Sequence, residues 1–302
     1  MSGVRAEAAV RPGPRAGAGF IGRHERFALV ASTNDIVRDW LADDEPEVCL
    51  AVADRQSAGR GRAGRTWLAP DGAALLLSLG FRPAWLPADR TWRLAALVAV
   101  AMAGAVEAVA ALPAGSVRLK WPNDLVVEDG GPADPRRGRP RKLAGLLGET
   151  DGLGTDVPRV TIGIGLNVDW PAAAFPADLA AGMTSLHELV GRDVPDRDVL
   201  LAAFLARLEP SVTDLRAGRF AAAEWEDRQL TTGRIVRLVQ ADGTSGLVRA
   251  LGVDADSGAL LVADPASAVP RRVFSGEIQH LRLAASSGPP ARRAGGSVVA
   301  GL

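Results

Sequence analysis

The segment Val117-Arg-Leu-Lys-Trp-Pro-Asn-Asp-Leu-Val-Val127 opens the part of the sequence that decides the fold. Its apolar residues predict a β-strand, and Pro122 predicts an edge, a bulge or a bend in that strand. The polar residues 129–141 separate it from an apolar run at Leu143–Glu149, and a third run, Val160–Val168, alternates around two glycines. Three such runs in succession predict a hairpin region within a β-sheet.

The same region contains both lysines of a chain that has 33 arginines. Arginine can replace lysine on a solvated surface, but not where a compact point charge must reach one oxygen atom. The count alone leaves open that the two lysines survived by chance. We expect the hairpin region to place Lys120 and Lys142 on neighbouring strands, on one side of the sheet.

The N-terminal half alternates between strand and helix patterns. Ser32-Thr33-Asn34 precedes a run with helical spacing, so these side chains are expected to cap a helix. Apolar runs predict buried strands at Val48–Ala53 and Ala73–Leu79. A long apolar helix is expected to begin at Asp89 or Thr91 and to end near Leu112. It is mostly alanine, and we therefore expect a buried core helix rather than a membrane span.

The C-terminal half changes from helices to short strands. Helices are predicted at about 196–216 and 219–229, and from Thr232 to Leu283 short β-rich runs are split by glycine-containing turns, which predicts a small five-stranded barrel. The predicted organisation is a disordered leader (1–26), a catalytic domain (27–230), the barrel (231–283) and a disordered tail (284–302).

Composition excludes several classes of function. The formal net charge is zero, so there is no general electrostatic case for a nucleic-acid or membrane partner. Cys49 lies in an apolar run and predicts a buried thiol rather than a nucleophile. His24, His187 and His280 are scattered without a Cys/His cluster, and no zinc site is expected. The N-terminal residues contain no apolar run typical of a signal peptide, which favours a cytoplasmic protein.

The loop Gly59-Arg-Gly-Arg-Ala-Gly-Arg65 suits an anionic ligand. Glycine lets the backbone approach a ligand closely, and arginine presents paired donors to phosphate or carboxylate oxygens. No Gly-Lys-Ser/Thr follows, so the loop is not the phosphate loop of nucleotide hydrolases. A disordered arginine–glycine segment that binds RNA is the alternative interpretation.

A cation, an amide and a carboxylate lie within five residues at Lys120, Asn123 and Asp124. Such a set could bind a magnesium nucleotide, with the lysine on a phosphate and the carboxylate and amide near the metal. As a pattern alone it is weak, because Pro-Asn-Asp is also an ordinary turn.

In combination, order and spacing, these motifs resemble the biotin–protein ligase family. The resemblance runs from about residue 27 to 283. It is carried by Ser32-Thr-Asn34, Gln56 with the Gly/Arg loop through Trp67, Lys120-Trp-Pro-Asn-Asp124, Lys142-Leu-Ala-Gly-Leu-Leu-Gly-Glu149 and Gly163-Ile-Gly-Leu-Asn167. It implies an α+β fold: a mixed β-sheet catalytic domain flanked by helices, similar to class II synthetases, and a small C-terminal SH3-like β-barrel.

The resemblance implies an ATP-dependent biotin–protein ligase. Biotin and MgATP are expected to give biotinyl-5′-AMP and pyrophosphate, and a lysine of a biotin carboxyl carrier domain then takes the biotin and releases AMP. The expected partner is an acyl-CoA or pyruvate-type carboxylase. No zinc, haem, flavin, nucleic acid or membrane is expected, and the protein is expected to be a monomer or a weak homodimer.

The resemblance also implies residue roles. Biotin contacts are expected from Ser32, Thr33, Asn34, Gln56, Arg60, Gly61, Arg62, Lys142, Gly145, Gly163 and Gly165. ATP contacts are expected from Arg62, Arg65, Trp67, Lys120, Asn123, Asp124 and Asn167, with Asp124 and Asn167 nearest the magnesium ion. Catalytic roles are expected for Lys142 at the biotin carboxylate, for Lys120 at the phosphates, and for Arg60 and Arg62 in the loop that folds over the adenylate.

The sequence departs from the family pattern in two places. Ala63 stands in the Gly/Arg loop where a basic or bulkier residue is common, which puts the closing contacts of the loop in doubt. Only about 26 residues precede the catalytic region, so a short form without an N-terminal DNA-binding domain or repressor activity is expected. A lipoate or octanoate ligase and a nucleic-acid-binding module are the alternative functions.

Overall fold

A large mixed sheet and a smaller antiparallel sheet organise the protein. The computed structural model describes residues 10–11, 19–128, 139–191, 193–240, 242–264 and 269–280. The large sheet contains β1 (Val10–Arg11), β2 (Arg23–Val30), β3 (Cys49–Gln56), β4 (Ala74–Phe81), β5 (Arg118–Lys120), β6 (Asp124–Glu128), β7 (Pro140–Asp151) and β8 (Arg159–Asn167). Its strand order is β1-β2-β3-β4-β8-β7-β6-β5.

Local connections explain the strand directions. Strands β2 and β3 are parallel. A parallel pair needs a crossover connection, and helix α1 (Thr33–Ala42) provides it. The other neighbouring strands of this sheet are antiparallel. Strand β4 is buried along its whole length and lies in the middle of the sheet. The fold therefore matches the mixed sheet that the sequence predicts.

Helices pack against the large sheet, and the hydrophobic core lies between them. After α1 come α2 (Trp92–Val109), α3 (Leu186–Val190), α4 (Arg197–Arg216) and α5 (Ala222–Asp227). By length and composition, α2 and its preceding turn could cross a membrane. However, α2 packs against α4 and the sheet, and its residues from Leu94 to Glu107 are mostly buried. This burial confirms the predicted core helix.

The predicted single strand from Val117 to Val127 is wrong. Residues 118–120 and 124–128 are two antiparallel strands, β5 and β6, joined by a turn at Trp121-Pro122-Asn123. The Trp121–Pro122 peptide bond is cis. Proline has no N–H to give to a sheet ladder, and it lies here in the bend, as its chemistry requires. The prediction that Lys120 and Lys142 lie on neighbouring strands is wrong as well, because β6 separates β5 from β7.

Strand β2 begins at Arg23, inside the stretch 1–26 that is expected to be disordered. Its charges hide the strand pattern, but ion pairs satisfy them: Arg23 binds Glu25 at 2.6 Å, and Arg26 binds Asp54 at 3.3 Å. Residues 1–9 and 12–18 of the expected leader, 129–138 of the polar insert and the expected tail at 284–302 lie outside the described residues.

The C-terminal sheet has five antiparallel strands, as predicted. They are β9 (Ile235–Val239), β10 (Ser245–Val253), β11 (Leu260–Ala263), β12 (Arg271–Val273) and β13 (Glu277–His280), in the order β12-β11-β10-β9-β13. The sheet is consistent with an SH3-like domain. It contacts the first part of the chain directly, because Trp121 Nε1 donates to the Gly258 carbonyl at 3.2 Å.

One buried ion pair joins α2 to the residue that follows α5. Glu107 in α2 accepts from Arg228, which follows α5, at 2.9 Å, and also from the Val117 N–H at 2.9 Å. The Glu107 side chain is 7% exposed and the Arg228 side chain 14%. Burial opposes ionisation of Glu107, but the bonds from Arg228 and the Val117 N–H outweigh it and hold the pKa of Glu107 below the usual 4.5.

Replacing Arg228 with methionine should destabilise the protein. The change leaves the buried Glu107 without its cation, and breaking such pairs costs about 3–5 kcal/mol of unfolding free energy. Chemical denaturation at neutral pH measures the loss.

Arg219→Met is the matched control, because Arg219 pairs with Asp214 on the surface, where side-chain exposures are 66% and 56%, and should cost less than about 1 kcal/mol. A carboxyl whose pKa is lowered by folding stabilises the native state above its unfolded pKa, and this stability is lost as pH falls through its folded pKa. The difference between wild type and Arg228→Met should therefore shrink below the usual Glu107 value of 4.5. Equal stability of the two variants at neutral pH would show that the pair contributes little.

Candidate active site

A cavity of about 520 Å³ lies where α1, the Gly/Arg loop, strands β5 to β8 and the end of the C-terminal sheet meet. The predicted site residues that line it are Ser32, Thr33, Asn34, Gln56, Arg60, Gly61, Arg62, Arg65, Trp67, Lys120, Asn123, Asp124, Lys142, Gly145, Gly163 and Asn167. The remaining predicted residue, Gly165, lies beneath the Trp67 ring. Residues drawn from positions 32 to 167 of the chain thus come together in one place.

The floor of the cavity is a buried polar network. The backbone N–H of Thr33 donates to Gln56 Oε1 at 2.7 Å, and the Thr33 hydroxyl donates to the same oxygen at 3.0 Å. The fully buried Ser78 hydroxyl, which has one hydrogen, lies 2.7 Å from Thr33 Oγ1 and 2.6 Å from Asn34 Oδ1. Sequence reasoning missed Ser78, although a hydroxyl inside the apolar run of β4 was a visible signal.

Asn34 is held at both ends of its amide. Its Nδ2 donates to Glu149 Oε2 at 2.7 Å, and its Oδ1 faces Ser78. A Cβ atom at Gly163 would lie 2.2 Å from Asn34 Oδ1, so position 163 must be glycine for Asn34 to fit. Ser32 is the N-cap residue of α1, but its side chain makes no capping hydrogen bond. The prediction that this triplet caps the helix with its side chains is therefore wrong, because Thr33 and Asn34 bond into the cavity.

The Gly/Arg loop forms a small hairpin over the cavity. The Gly61 N–H donates to the Arg65 carbonyl at 2.6 Å, and the Trp67 N–H donates to the Gly59 carbonyl at 2.9 Å. At its tip, Ala63 has φ 55° and the next residue, Gly64, has φ 72°. The left-handed conformation costs a residue other than glycine about 1–2 kcal/mol. The Ala63 side chain is exposed, so the closing contacts of the loop come from other residues.

Arg60 is the best-anchored residue of the loop. Its two terminal nitrogens donate to the two Asp35 oxygens at 2.8 and 2.9 Å, and one of them also lies 3.1 Å from Glu149 Oε2. The hydrogen bond from Arg60 lowers the pKa of Asp35, and the same bond raises the pKa of Arg60. Neither carboxylate was predicted as a site residue, although Asp35 follows the Ser-Thr-Asn triplet and Glu149 ends the Lys142 motif.

The two other arginines of the loop face the C-terminal sheet. Arg62 donates to the Gly276 carbonyl at 3.4 Å, and Arg65 pairs with Glu277 Oε1 at 3.2 Å. Burial lowers the pKa of Arg62. Glu277 itself lines the cavity. The small sheet therefore closes one side of the site, which the sequence left undecided.

Trp67 covers the glycines of β7 and β8. A Cβ atom at Gly165 would lie 2.3 Å from the ring, and one at Gly145 would lie 3.0 Å from it. The Lys142 ammonium lies 5.4 Å from the ring centroid, within the range of a cation–π contact. Trp67 Nε1 is buried without a hydrogen-bond partner. Gly165, which was expected to contact biotin, is therefore covered by an indole ring in this structure.

The two lysines converge on Asp124. Lys142 Nζ lies 2.7 Å from Asp124 Oδ1. Lys120 is the register partner of Asp124 across β5 and β6. Burial lowers the pKa of Lys120, and the nearby Lys142 charge acts in the same direction while Asp124 opposes both. Two cations and one carboxylate thus share a half-buried corner of the cavity, where an anionic ligand would relieve the repulsion between the lysines.

Asn167 lies beside this corner. Its Nδ2 donates to the Thr184 carbonyl at 2.9 Å, while its Oδ1 is buried without a hydrogen-bond partner. Within the described ranges, no group of three or more Asp, Glu, His or Cys residues could hold a metal ion. A magnesium ion that is held mainly by phosphate oxygens and water needs only one or two protein oxygens, and Asp124 and Asn167, which both line the cavity, carry such oxygens.

The comparisons with known proteins agree with this geometry. Residues 27–167 match the biotin/lipoate A/B protein ligase family. The chain is 32% identical to a biotin–[acetyl-CoA-carboxylase] ligase of Mycobacterium tuberculosis over 84% of this chain and 88% of that protein. It is 31% identical to the bifunctional ligase/repressor BirA of Bacillus spizizenii over 83% of this chain and 72% of that protein.

The fold is also that of a solved ligase. The biotin protein ligase of Aquifex aeolicus, in complex with biotin and ATP, superposes with a TM-score of 0.68 at 24% identity, over 86% of this chain and 99% of that chain. At this identity the structural similarity establishes the fold, whereas the sequence relatives establish the family membership. The chain belongs to the biotin–protein ligase family of enzymes.

Proposed function

We propose that this enzyme activates biotin with ATP as biotinyl-5′-AMP and transfers it to a lysine of a biotin carboxyl carrier domain. The observation that carries the proposal is the cavity itself, which joins a polar floor around Thr33 and Asn34 to the corner with Lys120, Lys142 and Asp124. Biotin has an uncharged ureido ring at one end and a carboxylate at the other. The floor suits the ring, and the lysine corner suits the carboxylate and the phosphates.

The polar floor would fix the biotin ring. A ureido group presents one acceptor and two donors, and Ser32, Thr33, Asn34 and Gln56 offer hydroxyl and amide groups to match them. Asn34 is held by Glu149 and Ser78, so its amide is fixed in place before a ligand arrives. Such preorganisation lowers the entropic cost of binding.

The cations would neutralise the negative charges that meet in the first step. A carboxylate oxygen of biotin attacks the α-phosphorus of ATP, a new C–O–P linkage forms, and the bond to the pyrophosphate oxygen breaks. Carboxylate and phosphate repel each other, so Lys142 on the carboxylate and Lys120 with Arg62 on the phosphates are required at that moment. Asp124 and Asn167 would hold magnesium, which supplies charge neutralisation to the phosphates when it is bound.

The loop and the C-terminal sheet would protect the product. An acyl-adenylate hydrolyses in water, so it has to be covered until the acceptor arrives. The hairpin at 59–67 and the Arg65–Glu277 pair close over the corner where the adenylate forms. In the second step the neutral amine of the acceptor lysine attacks the acyl carbon, an amide forms, and AMP leaves as the amine loses its proton.

We infer the acceptor from a relative. The mycobacterial relative is named as a ligase for acetyl-CoA carboxylase, and we propose an acyl-CoA or pyruvate-type carboxylase as the partner here. A cytoplasmic location, function without nucleic acid, and a monomer or weak homodimer complete the proposal. We propose two domains: a catalytic domain that includes all of β2 from Arg23 and ends near residue 230, and the small domain at 231–283.

Biotin should support exchange of labelled pyrophosphate into ATP, and lipoate or octanoate should not. The matching family model covers both biotin and lipoate ligases, so the acids are compared side by side with magnesium present. A carrier domain is then added, and transfer of biotin to its lysine is measured. A carrier domain in which that lysine is replaced by arginine serves as the control. Exchange with lipoate but not with biotin would make the enzyme a lipoate ligase. Salt-sensitive nucleic-acid binding without any exchange would make the Gly/Arg loop a nucleic-acid contact.

Lys142→Arg should lower kcat for adenylate formation by about 10²–10³-fold, the usual loss when one charge-stabilising donor is misplaced. A guanidinium is larger and planar, so its donor nitrogens would not lie where the compact Lys142 ammonium lies, 2.7 Å from Asp124 Oδ1. Single-turnover formation of biotinyl-5′-AMP measures the change.

Arg219→Lys is the matched control, because the Arg219 side chain is 66% exposed and does not line the cavity, and this variant should retain the wild-type rate. Full activity of Lys142→Arg would contradict the role of this lysine at the carboxylate.

A further inference from the structure

Two carboxylates at the cavity have no part in the proposed reaction. Asp35 lies in the first turn of α1, and Glu149 lies near the end of β7. Both bind Arg60, which is 25 residues from Asp35 and 89 residues from Glu149 in sequence. We call these three residues the acidic clasp. The clasp ties the Gly/Arg loop to two elements of the main fold.

The clasp occupies most of the Arg60 guanidinium. Asp35 meets it with both oxygens at 2.8 and 2.9 Å, the fork-to-fork geometry that makes arginine–carboxylate pairs strong. The two Glu149 oxygens lie 3.1 and 3.2 Å from the second terminal nitrogen. Arg38 donates to Asp35 from the other side at 2.6 Å. Both terminal nitrogens of Arg60 thus bind protein carboxylates, Asp35 and Glu149.

Glu149 also connects the loop to the floor of the cavity. The same carboxylate accepts from Asn34 Nδ2 at 2.7 Å and from Arg60. Asn34 cannot turn its amide without losing this bond and its contact with Ser78. The position of the loop and the orientation of a predicted biotin contact therefore depend on one side chain.

Apolar packing does not hold the loop in place. No side chain from 60 to 66 is buried, so the hydrophobic effect contributes little to its position. Ion pairs on an open surface are worth little individually. These pairs, however, have side chains that are only 30–36% exposed, and they share one guanidinium. The clasp is therefore the main link between the first half of the loop and the main fold.

We propose that Asp35 and Glu149 are positioning residues that hold the Gly/Arg loop closed through Arg60, and that Arg60 is an anchor of the loop rather than a ligand contact. The proposal rests on the proposed function, because a closed loop matters when a water-sensitive adenylate has to be retained. Loosening the clasp should release the adenylate early while the chemistry at Lys142 continues.

Asp35→Asn should increase the dissociation rate of biotinyl-5′-AMP by about tenfold, the factor expected when a charge-assisted hydrogen bond is weakened. Release is followed after a chase with excess unlabelled biotin. Glu149→Gln should increase the same rate and also raise the KM for biotin, because Asn34 loses its charged acceptor. Asp39→Asn is the matched control, since Asp39 lies one turn further along α1 and is exposed.

Three further measurements separate positioning from general damage. The melting temperature of Asp35→Asn should stay close to that of Asp39→Asn, because the clasp fixes a loop without buried side chains rather than the hydrophobic core. Salt should accelerate release from the wild type by screening the clasp, and this salt effect should be smaller in Asp35→Asn. The double variant Asp35→Asn with Arg60→Gln should release adenylate no faster than Arg60→Gln alone, since Arg60→Gln already breaks the bonds to both Asp35 and Glu149.

Other outcomes overturn the proposal in recognisable ways. Release from Asp35→Asn at the Asp39→Asn rate, with normal pyrophosphate exchange in both, would disprove the clasp and leave the proposed function standing. Additive effects in the double variant would show that Asp35 does not act through Arg60, and would overturn the clasp. Absence of biotin-dependent exchange in the wild type would instead remove the proposed function on which the clasp rests.

Discussion

The site depends on a patch of the large sheet where three glycines leave the backbone uncovered by side chains of its own. Gly145 in β7 and Gly165 in β8 are cross-strand partners, and Leu147 pairs with Gly163 in the same ladder. A Cβ atom at Gly163 or Gly165 would overlap Asn34 or Trp67 by more than contacts allow. A closely packed interior has no room to absorb such an overlap. The glycines thus set how close the floor residue and the loop residue can come to the sheet.

Regular elements were predictable from local patterns, whereas the contacts within the site were not. Apolar periodicity predicted most strands and helices, though not β1, β2 or α3, and α4 begins at Arg197, one residue after its predicted start. The Pro122 bend was predicted as one of several possibilities, but the sequence could not show that it separates two strands. Whether proline ends a strand or lies within one depends on the partner strand, which a local pattern does not reveal.

The residues that sequence reasoning missed share a property. Ser78, Asp35, Glu149 and Glu277 act through partners that are 25 to 212 residues away in the chain. Their roles therefore appear only after folding brings those partners close. Motif residues such as Lys142 and Asn34 were found because several of them stand together. The helix-capping prediction failed for a related reason, since Thr33 and Asn34 donate to Gln56 and Glu149 across the cavity instead of accepting from N–H groups of their own helix.

The distribution of lysine has a consequence for the fate of the proposed product. A biotinyl-adenylate acylates free amines, and arginine is a poor target because its guanidinium stays protonated. Both lysines of this chain lie in the wall of the cavity, and every other basic side chain apart from histidine is arginine. Adenylate that escapes would find no ε-amine on the outer surface of the protein that made it. The enzyme would label neighbouring proteins before it labelled its own surface, so accidental leakage would cost it little of its own activity.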